Sequence, residues 1–180
     1  MARVLIPLAD GCEELEAVTV IDLLRRAGIE VTVAGLKPGT VQASRGVQLV
    51  PDTTLDAALQ HDYDMVVLPG GLPGATHLRE DPRIIALLQK MAAAGRYTAA
   101  ICAAPRVLAE AGVLQGKQAN CYPGTLDGLS GVNVSSAPVV RDGKVVTSRG
   151  PGTAMDFALE LIEVLVGGDT RREVEAGLVR

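Results

Sequence analysis

Short apolar runs alternate with amphipathic stretches along the chain. The run Val4–Ile6 is followed by a helical pattern over Glu13–Ala27 and, after Gly28, by the apolar run Val31–Val33. Apolar runs of this length are typical of buried strands, and apolar residues recurring every three or four positions are typical of a helix. Strand, helix and strand in this order predict a βαβ unit with two parallel strands.

The alternation continues through the rest of the chain. The pattern next predicts two short strands in Val41–Val50 with a turn at Arg45-Gly46, a strand over Met65–Leu68 and a helix over Pro82–Ala94. It then predicts a strand over Tyr97–Ile101 and a helix from Ala103 to Ala111. The last predicted elements are a hairpin over Ala137–Ser148 with a turn at Asp142-Gly143, and a helix over Thr153–Val166 that ends at Gly167-Gly168. This order predicts an α/β fold, a three-layer doubly wound sheet. Without repeats or composition shifts, residues 1–180 are expected to form one domain.

Composition and charge narrow the function classes. Hydrophobic residues make up 48% of the chain but aromatic residues only 2%, so the core is expected to consist of Val, Leu, Ile and Ala, as in buried parallel strands. The net charge is −4 with no long block of either sign, which argues against nucleic-acid binding. The start of the chain does not resemble a signal peptide and no long apolar stretch follows, so we expect a cytoplasmic protein without membrane segments.

The cysteine and histidine pattern argues against a metal or a disulfide framework. Three cysteines at wide, irregular spacing, Cys12, Cys102 and Cys121, fit neither paired zinc ligands nor disulfides, so free thiols are expected. His61 and His77 stand in polar contexts and are expected at the surface. No metal-binding or nucleotide-binding motif is present, and no cofactor is predicted.

Three strand ends carry the candidate chemistry. Ala9-Asp10-Gly11, Pro69-Gly70-Gly71 and Cys102 each follow a predicted parallel strand. Because sites in doubly wound folds form at the carboxyl ends of the strands, these three segments should converge on one crevice.

Cys102 is the candidate nucleophile. No loop separates its strand from the following helix, so its side chain is predicted to be exposed and to face the first helical N–H groups, and both features favour a thiolate. Free cysteine is also among the most buried residue types, and from this position alone a packing role is an equal alternative. Of the other thiols, Cys12 is expected to be accessible to oxidants and Cys121 to pack at a strand end.

Glu16 is the candidate partner of Cys102. On a helix it shares a face with Val20, Leu23 and Ala27, which directs its carboxyl group toward the interior. A carboxylate in a first turn also complements the helix dipole, but burial is costly unless the group is protonated or paired. Gly70 and Gly71 permit close backbone approach, and with the N–H of Ala103 they are candidate donors to an oxyanion.

At these residues the sequence resembles the ThiJ/PfpI superfamily, in the branch that contains the human Parkinsonism-associated deglycase and bacterial YajL. The resemblance spans nearly the whole chain. It is carried by six stretches: Ala9-Asp10-Gly11-Cys12-Glu13-Glu14-Leu15-Glu16, Arg25-Arg26-Ala27-Gly28-Ile29, Val31-Thr32-Val33-Ala34-Gly35-Leu36, Val67-Leu68-Pro69-Gly70-Gly71, Ala100-Ile101-Cys102-Ala103-Ala104-Pro105 and Thr147-Ser148-Arg149-Gly150-Pro151-Gly152-Thr153.

The resemblance implies a single ThiJ/PfpI-type domain with a flavodoxin-like (Rossmann-like) sandwich and a mostly parallel sheet. It also implies a homodimer, with the first predicted helix and the Arg45 turn at its interface. It implies a Cys102 nucleophile hydrogen-bonded to a protonated Glu16, with Gly71 and Ala103 as oxyanion donors, and a cysteine readily oxidised to a sulfinate. Ala103 stands where peptidase branches have histidine, which argues against proteolysis. Tyr122 stands where the human member has a histidine near the cysteine.

Together these inferences predict a cofactor-free glyoxalase or deglycase that acts on small dicarbonyls such as methylglyoxal, or on their early glycated adducts. Cys102 would attack the aldehyde and Glu16 would move a proton between the two carbonyl carbons. The alternative is a redox sensor or holdase chaperone in which oxidation of Cys102 is the event and no substrate turns over.

Overall fold

The structure is a computed structural model that describes residues 1–180. Its strands are β1 Arg3–Leu8, β2 Glu30–Gly35, β3 Val41–Gln42, β4 Gln48–Leu49, β5 Thr53–Thr54, β6 Met65–Leu68, β7 Tyr97–Ile101, β8 Lys117–Ala119, β9 Val132–Val134, β10 Val139–Asp142 and β11 Val145–Ser148. Its helices are α1 Glu14–Arg26, α2 Leu55–Ala58, α3 Gly74–Glu80, α4 Pro82–Ala93, α5 Pro105–Glu110, α6 Ala154–Val166 and α7 Gly168–Gly177.

Seven strands form the central sheet in the order β10-β11-β7-β6-β1-β2-β5. All neighbouring pairs are parallel except β10 with β11, which form the predicted hairpin. The mostly parallel sheet between helices confirms the predicted α/β sandwich. The sheet places β1, β6 and β7 side by side at its centre, and these are the three strands whose ends carry the candidate residues.

The alternation of side chains along β1 explains the three layers. Val4, Ile6 and Leu8 belong to one buried cluster, which also contains the inward faces of α1 and α6. Leu5, which points to the other face, belongs to a second cluster that includes residues of α3, α4 and α5. Successive strand side chains point to opposite faces, so a strand covered on both sides is apolar at every position.

Several element bounds differ from the expected ones. The expected helix over Pro82–Ala94 is confirmed as α4, with Asp81 capping its first turn. Three helices were not expected: α2, α3, and α7, which begins at Gly168 directly after α6. The expected end of the helix over Thr153–Val166 is confirmed, because α6 ends at Val166; Gly167 has φ 98, and after this turn the chain continues into α7. The longest helices have 13 residues, and none is long and apolar enough to cross a bilayer.

Candidate active site

The predicted convergence of the strand ends is seen in the structure. Cys102 follows β7, Gly70 and Gly71 follow β6, and the segment after β1 leads into α1. The N–H of Glu13 donates to the Gly70 carbonyl at 2.9 Å, which ties the start of α1 to the end of β6. All four residues proposed for the site, Glu16, Gly71, Cys102 and Ala103, therefore lie at one edge of the sheet.

Cys102 has an unusual backbone conformation. Its φ is 64, in the left-handed region that non-glycine residues rarely adopt. Its N–H donates to the Ser148 carbonyl at 3.0 Å, and its carbonyl accepts from the N–H of Tyr122 at 2.8 Å. Both backbone groups of Cys102 are therefore held by other segments, and such positions are found where surrounding structure stabilises a strained functional residue.

The local prediction for Cys102 was wrong in two respects. The helix does not follow the cysteine directly: a turn intervenes and α5 begins at Pro105, which has no N–H to direct at the sulfur. The side chain is also buried, with 8% of the residue exposed. The donors near the sulfur are instead the backbone N–H groups of Gly71 and Ala103, both of which act to lower the pKa of the thiol.

Glu16 lies on the buried face of α1, as its spacing predicted, and it is completely buried. Its Oε2 accepts a hydrogen bond from the N–H of Gly70 at 2.8 Å. Its Oε1 is buried without a partner of good geometry, although the carboxyl group and the Cys102 thiol are close enough to shift each other's pKa. The two side chains are therefore neighbours that interact electrostatically, with no fully formed hydrogen bond between them.

Burial dominates the electrostatics of this pair. It raises the pKa of Glu16 to about 7, against the opposing hydrogen bonds from Gly70 and Cys102. Burial, together with the charge of Glu16, raises the pKa of the Cys102 thiol to about 12. The expectation that the position of Cys102 by itself favours a thiolate was therefore wrong, because desolvation outweighs the two backbone donors.

The two glycines after β6 have different roles. A side chain at Gly70 would place its Cβ 2.6 Å from the Cβ of Cys102 and 2.8 Å from Oε2 of Glu16, so only glycine fits between the pair. Its N–H is occupied by Glu16, which corrects the view that Gly70 is a free oxyanion donor. Gly71 has φ 88, and a Cβ there would overlap the backbone of Glu13.

The remaining candidates lie outside the pair. Cys12, expected to be accessible to oxidants, is instead buried with 1% exposed, and burial raises its pKa to about 12. Cys121 is buried in the second core cluster, which confirms its packing role. His61 and His77 are exposed, as expected. No group of three or more His, Cys, Asp or Glu side chains is arranged to hold a metal ion.

Sequence reasoning missed the partners that hold the site. The carbonyl of Ser148, on the strand next to β7, fixes the N–H of Cys102. Tyr122, which replaces the histidine of the resemblance, has an exposed side chain, and its contact with the cysteine is through its backbone. The parallel order of strands could have placed Ser148 beside Cys102, but no local signal identifies the backbone role of Tyr122.

A small pocket of about 190 Å³ adjoins this site. Leu72 and Ala103, the residues directly after Gly71 and Cys102, are among the residues that line it. The other lining residues come from α3, α5 and the segment after β8: Ala75, Thr76, Arg79, Arg106 and Thr125.

Comparisons with known proteins agree with this fold. The model of the DJ-1/PfpI family matches residues 2–164. The Drosophila melanogaster protein dj-1beta is 47% identical over 97% of this chain and 95% of its own length. Its crystal structure superposes with a TM-score of 0.96 at 45% identity, covering 99% of this chain and 97% of that one.

Two further relatives bear on the chemistry. The Caenorhabditis elegans glutathione-independent glyoxalase DJR-1.2 is 36% identical over 92% of this chain and 89% of its own length. The structure of oxidized Toxoplasma gondii DJ-1 has a TM-score of 0.96 at 41% identity, covering 99% of this chain and 98% of that one.

Proposed function

The chain belongs to the DJ-1/PfpI family, and from that premise we propose that it is a cysteine-dependent glyoxalase that acts on methylglyoxal-type dicarbonyls without a cofactor. The observation that carries the proposal is the completely buried carboxyl group of Glu16 beside Cys102, with the N–H groups of Gly71 and Ala103 near the sulfur. The glyoxalase among the relatives supports this activity.

In the first step the Cys102 sulfur bonds to the aldehyde carbon, and the thiol proton passes to the Glu16 carboxylate. The pKa of Glu16, raised by burial to about 7, allows it to accept this proton and release it again near neutral pH. The N–H groups of Gly71 and Ala103 stabilise the negative charge that develops on the aldehyde oxygen. Glu16 then returns the proton to this oxygen, which completes a hemithioacetal.

In the second step the Glu16 carboxylate removes the proton from the former aldehyde carbon and delivers it to the neighbouring carbonyl carbon through an enediol. The first carbon is thereby oxidised to a thioester and the second reduced to an alcohol, so no external oxidant or reductant is needed. Water hydrolyses the thioester, which releases a 2-hydroxy acid and restores the Cys102 thiol. From methylglyoxal the product is lactate. On an early glycated adduct, a hemiaminal or hemithioacetal of the same dicarbonyl, the sulfur bonds to the adduct carbon as the amine or thiol that it carries leaves with a proton, and the same later steps then follow.

Lactate formation tests the proposal. Purified protein is incubated with methylglyoxal without added metal or glutathione, beside Cys102→Ser and a matched Cys121→Ala variant that removes a buried thiol outside the pair. We expect lactate from wild type and Cys121→Ala and none above background from Cys102→Ser. Equal lactate formation by Cys102→Ser would exclude the cysteine mechanism.

The second candidate function is a redox sensor or holdase chaperone. It is supported by the similarity of this chain to Toxoplasma gondii DJ-1, whose structure is of the oxidized protein. Cys102 is the most exposed of the three thiols, although only 8% of it is accessible. Peroxide treatment separates the two functions: loss of lactate formation on oxidation supports the enzyme, whereas a gain of client binding by a protein that never forms lactate supports the sensor.

We also propose that the chain acts as one cytoplasmic domain that forms a homodimer. Leu15 and Val18 on α1 and Val47 beside the Arg45 turn are apolar and about half exposed. Exposed apolar side chains on neighbouring segments are typical of a surface that a second subunit covers. This surface coincides with the two segments expected at the interface.

A further inference from the structure

Most basic side chains of this chain have an acidic partner. Of the 17 Lys and Arg residues, twelve lie within 4.0 Å of a carboxylate. The five that do not are Arg45, Arg79, Arg106, Lys144 and Arg149. Lys144 lies over the ring of Tyr97. In a chain with an excess of acidic residues, an arginine without a carboxylate partner is available for an anion from outside.

Two of these arginines lie together in the pocket beside the candidate active site. Arg79 is in the last turn of α3 and Arg106 in the first turn of α5, and both side chains are half-buried. The only hydrogen bond of their guanidinium groups is a weak one from Arg106 Nη1 to the Thr125 carbonyl at 3.5 Å. No acidic residue lines the pocket. Two like charges on one pocket repel each other, and an anion between them removes that repulsion.

The pocket borders the candidate active site. Leu72 and Ala103 line it, and each directly follows a residue of the proposed mechanism. Ala103 also provides one of the N–H groups near the Cys102 sulfur. A substrate whose aldehyde reacts at the sulfur can therefore extend its other end into this pocket.

We propose that Arg79 and Arg106 bind an oxyanionic group, a carboxylate or a phosphate, at the end of the substrate away from the reacting aldehyde. This inference rests on the proposed glyoxalase function and adds a preference within its substrate class, for acidic 2-oxoaldehydes over neutral ones such as methylglyoxal. Arginine suits this role because its planar donors match the oxygens of carboxylates and phosphates. Both arginines are positioning residues: they hold the substrate and take no part in proton transfer.

Three compounds test the preference. 4,5-Dioxopentanoate carries a carboxylate, its methyl ester is a neutral control of nearly the same shape, and hydroxypyruvaldehyde phosphate carries a phosphate. Addition of water converts the first to 2-hydroxyglutarate by the steps given above, with no other reactant. We expect kcat/KM of wild type for at least one of the two anions to exceed that for the ester by about tenfold or more, and the preferred anion identifies the group.

The selectivity ratio is kcat/KM for the preferred anion divided by kcat/KM for the ester. Arg79→Gln and Arg106→Gln should each lower this ratio by about 10- to 100-fold, the range for losing a hydrogen bond to a charged group. The matched control is Lys144→Gln. It removes one positive charge that has no carboxylate partner, but Lys144 precedes β11 and so lies at the opposite edge of the sheet from Cys102. The ratio should be unchanged in this control.

Calorimetric titration with 2-hydroxyglutarate and with 3-phosphoglycerate, the two products, is a readout that does not need turnover. A Kd that rises tenfold or more in either arginine variant and not in Lys144→Gln supports the anion subsite, even if no aldehyde is converted and the glyoxalase proposal fails. The subsite would be refuted if the ester and both anions were converted with equal kcat/KM and the arginine variants left the anion-to-ester ratio of kcat/KM unchanged. That result would not contradict the proposed glyoxalase activity. Absence of both turnover and arginine-dependent binding would overturn both.

Discussion

Replacing Glu16 by glutamine removes an ionisable group that folding buries completely, and this should change how stability depends on pH. Burial raises the pKa of Glu16 to about 7 in the folded protein, from an ordinary value of 4.5. Below pH 4.5 the group is protonated in both states and contributes no pH dependence. Between pH 4.5 and about 7 the unfolded chain ionises while the folded protein keeps its proton, so the folded state loses stability as the pH rises.

The size of this loss follows from the shift. Each unit of pKa difference corresponds to about 1.4 kcal/mol, so Glu16 should lower the free energy of unfolding by about 3 kcal/mol between pH 4.5 and 7.5. The Cys102 thiol stays protonated in both states over this range, because burial raises its pKa further. The Glu16→Gln protein lacks the titrating group. Its stability relative to wild type should therefore rise by about 3 kcal/mol across the same interval.

Urea denaturation followed by circular dichroism, at four pH values and one fixed protein concentration, measures this difference. Glu14→Gln on the same helix is the matched control. Partial burial of Glu14 is outweighed by hydrogen bonds from backbone N–H groups and the Ser44 hydroxyl, which lower its pKa. Its contribution is fully present above its unfolded pKa of 4.5 and is lost as the pH falls through its lower folded pKa, so this control should be nearly flat over the interval in which Glu16 titrates and should show the opposite slope only in more acidic solution. A stability difference between Glu16→Gln and wild type that is flat with pH would refute the buried-carboxyl account.

Three other predictions follow from the site and the surface. Limiting iodoacetamide followed by peptide mass spectrometry should modify Cys102 before the other two thiols, which are less exposed; faster labelling elsewhere would remove it as the nucleophile. Gly71→Ala should destabilise the protein by on the order of 2–4 kcal/mol in urea, because its φ is 88 and a Cβ would overlap backbone; wild-type stability would contradict this geometry. Sedimentation at micromolar concentration should show a dimer for wild type and a shift toward monomer for Val18→Glu; a monomeric wild type would refute the proposed dimer.

The sequence was sufficient to predict those parts of the site that depend on the helical repeat of apolar residues and on the order of the strands. The 3.6-residue period of α1 directed Glu16 to the interior, and the structure buries it completely. The rule that sites form at the carboxyl ends of parallel strands brought Cys102 and Gly71 to one edge. Both inferences use only local repeats and the order of elements, which a single sequence displays directly.

The features that sequence reasoning missed depend on contacts between distant segments. The left-handed conformation of Cys102 is held by Ser148 and Tyr122, and the N–H of Gly70 is occupied by a carboxylate 54 residues away. The expected thiolate at Cys102 was wrong for two reasons. The helix does not begin directly after the cysteine but at Pro105, and the pattern of apolar and polar residues does not reveal that packing removes the thiol from water.

The proton-transfer role of Glu16 is tested most directly by the steady-state rate of lactate formation from methylglyoxal by the Glu16→Gln protein. The amide is nearly isosteric with the carboxyl group, so the circular dichroism spectrum should match wild type, but it cannot pass a proton back and forth. We expect kcat to fall by roughly two to four orders of magnitude, the usual range for removal of a positioned acid–base group. A folded Glu16→Gln protein with nearly wild-type turnover would contradict the mechanism and leave Glu16 as an anchor for Cys102.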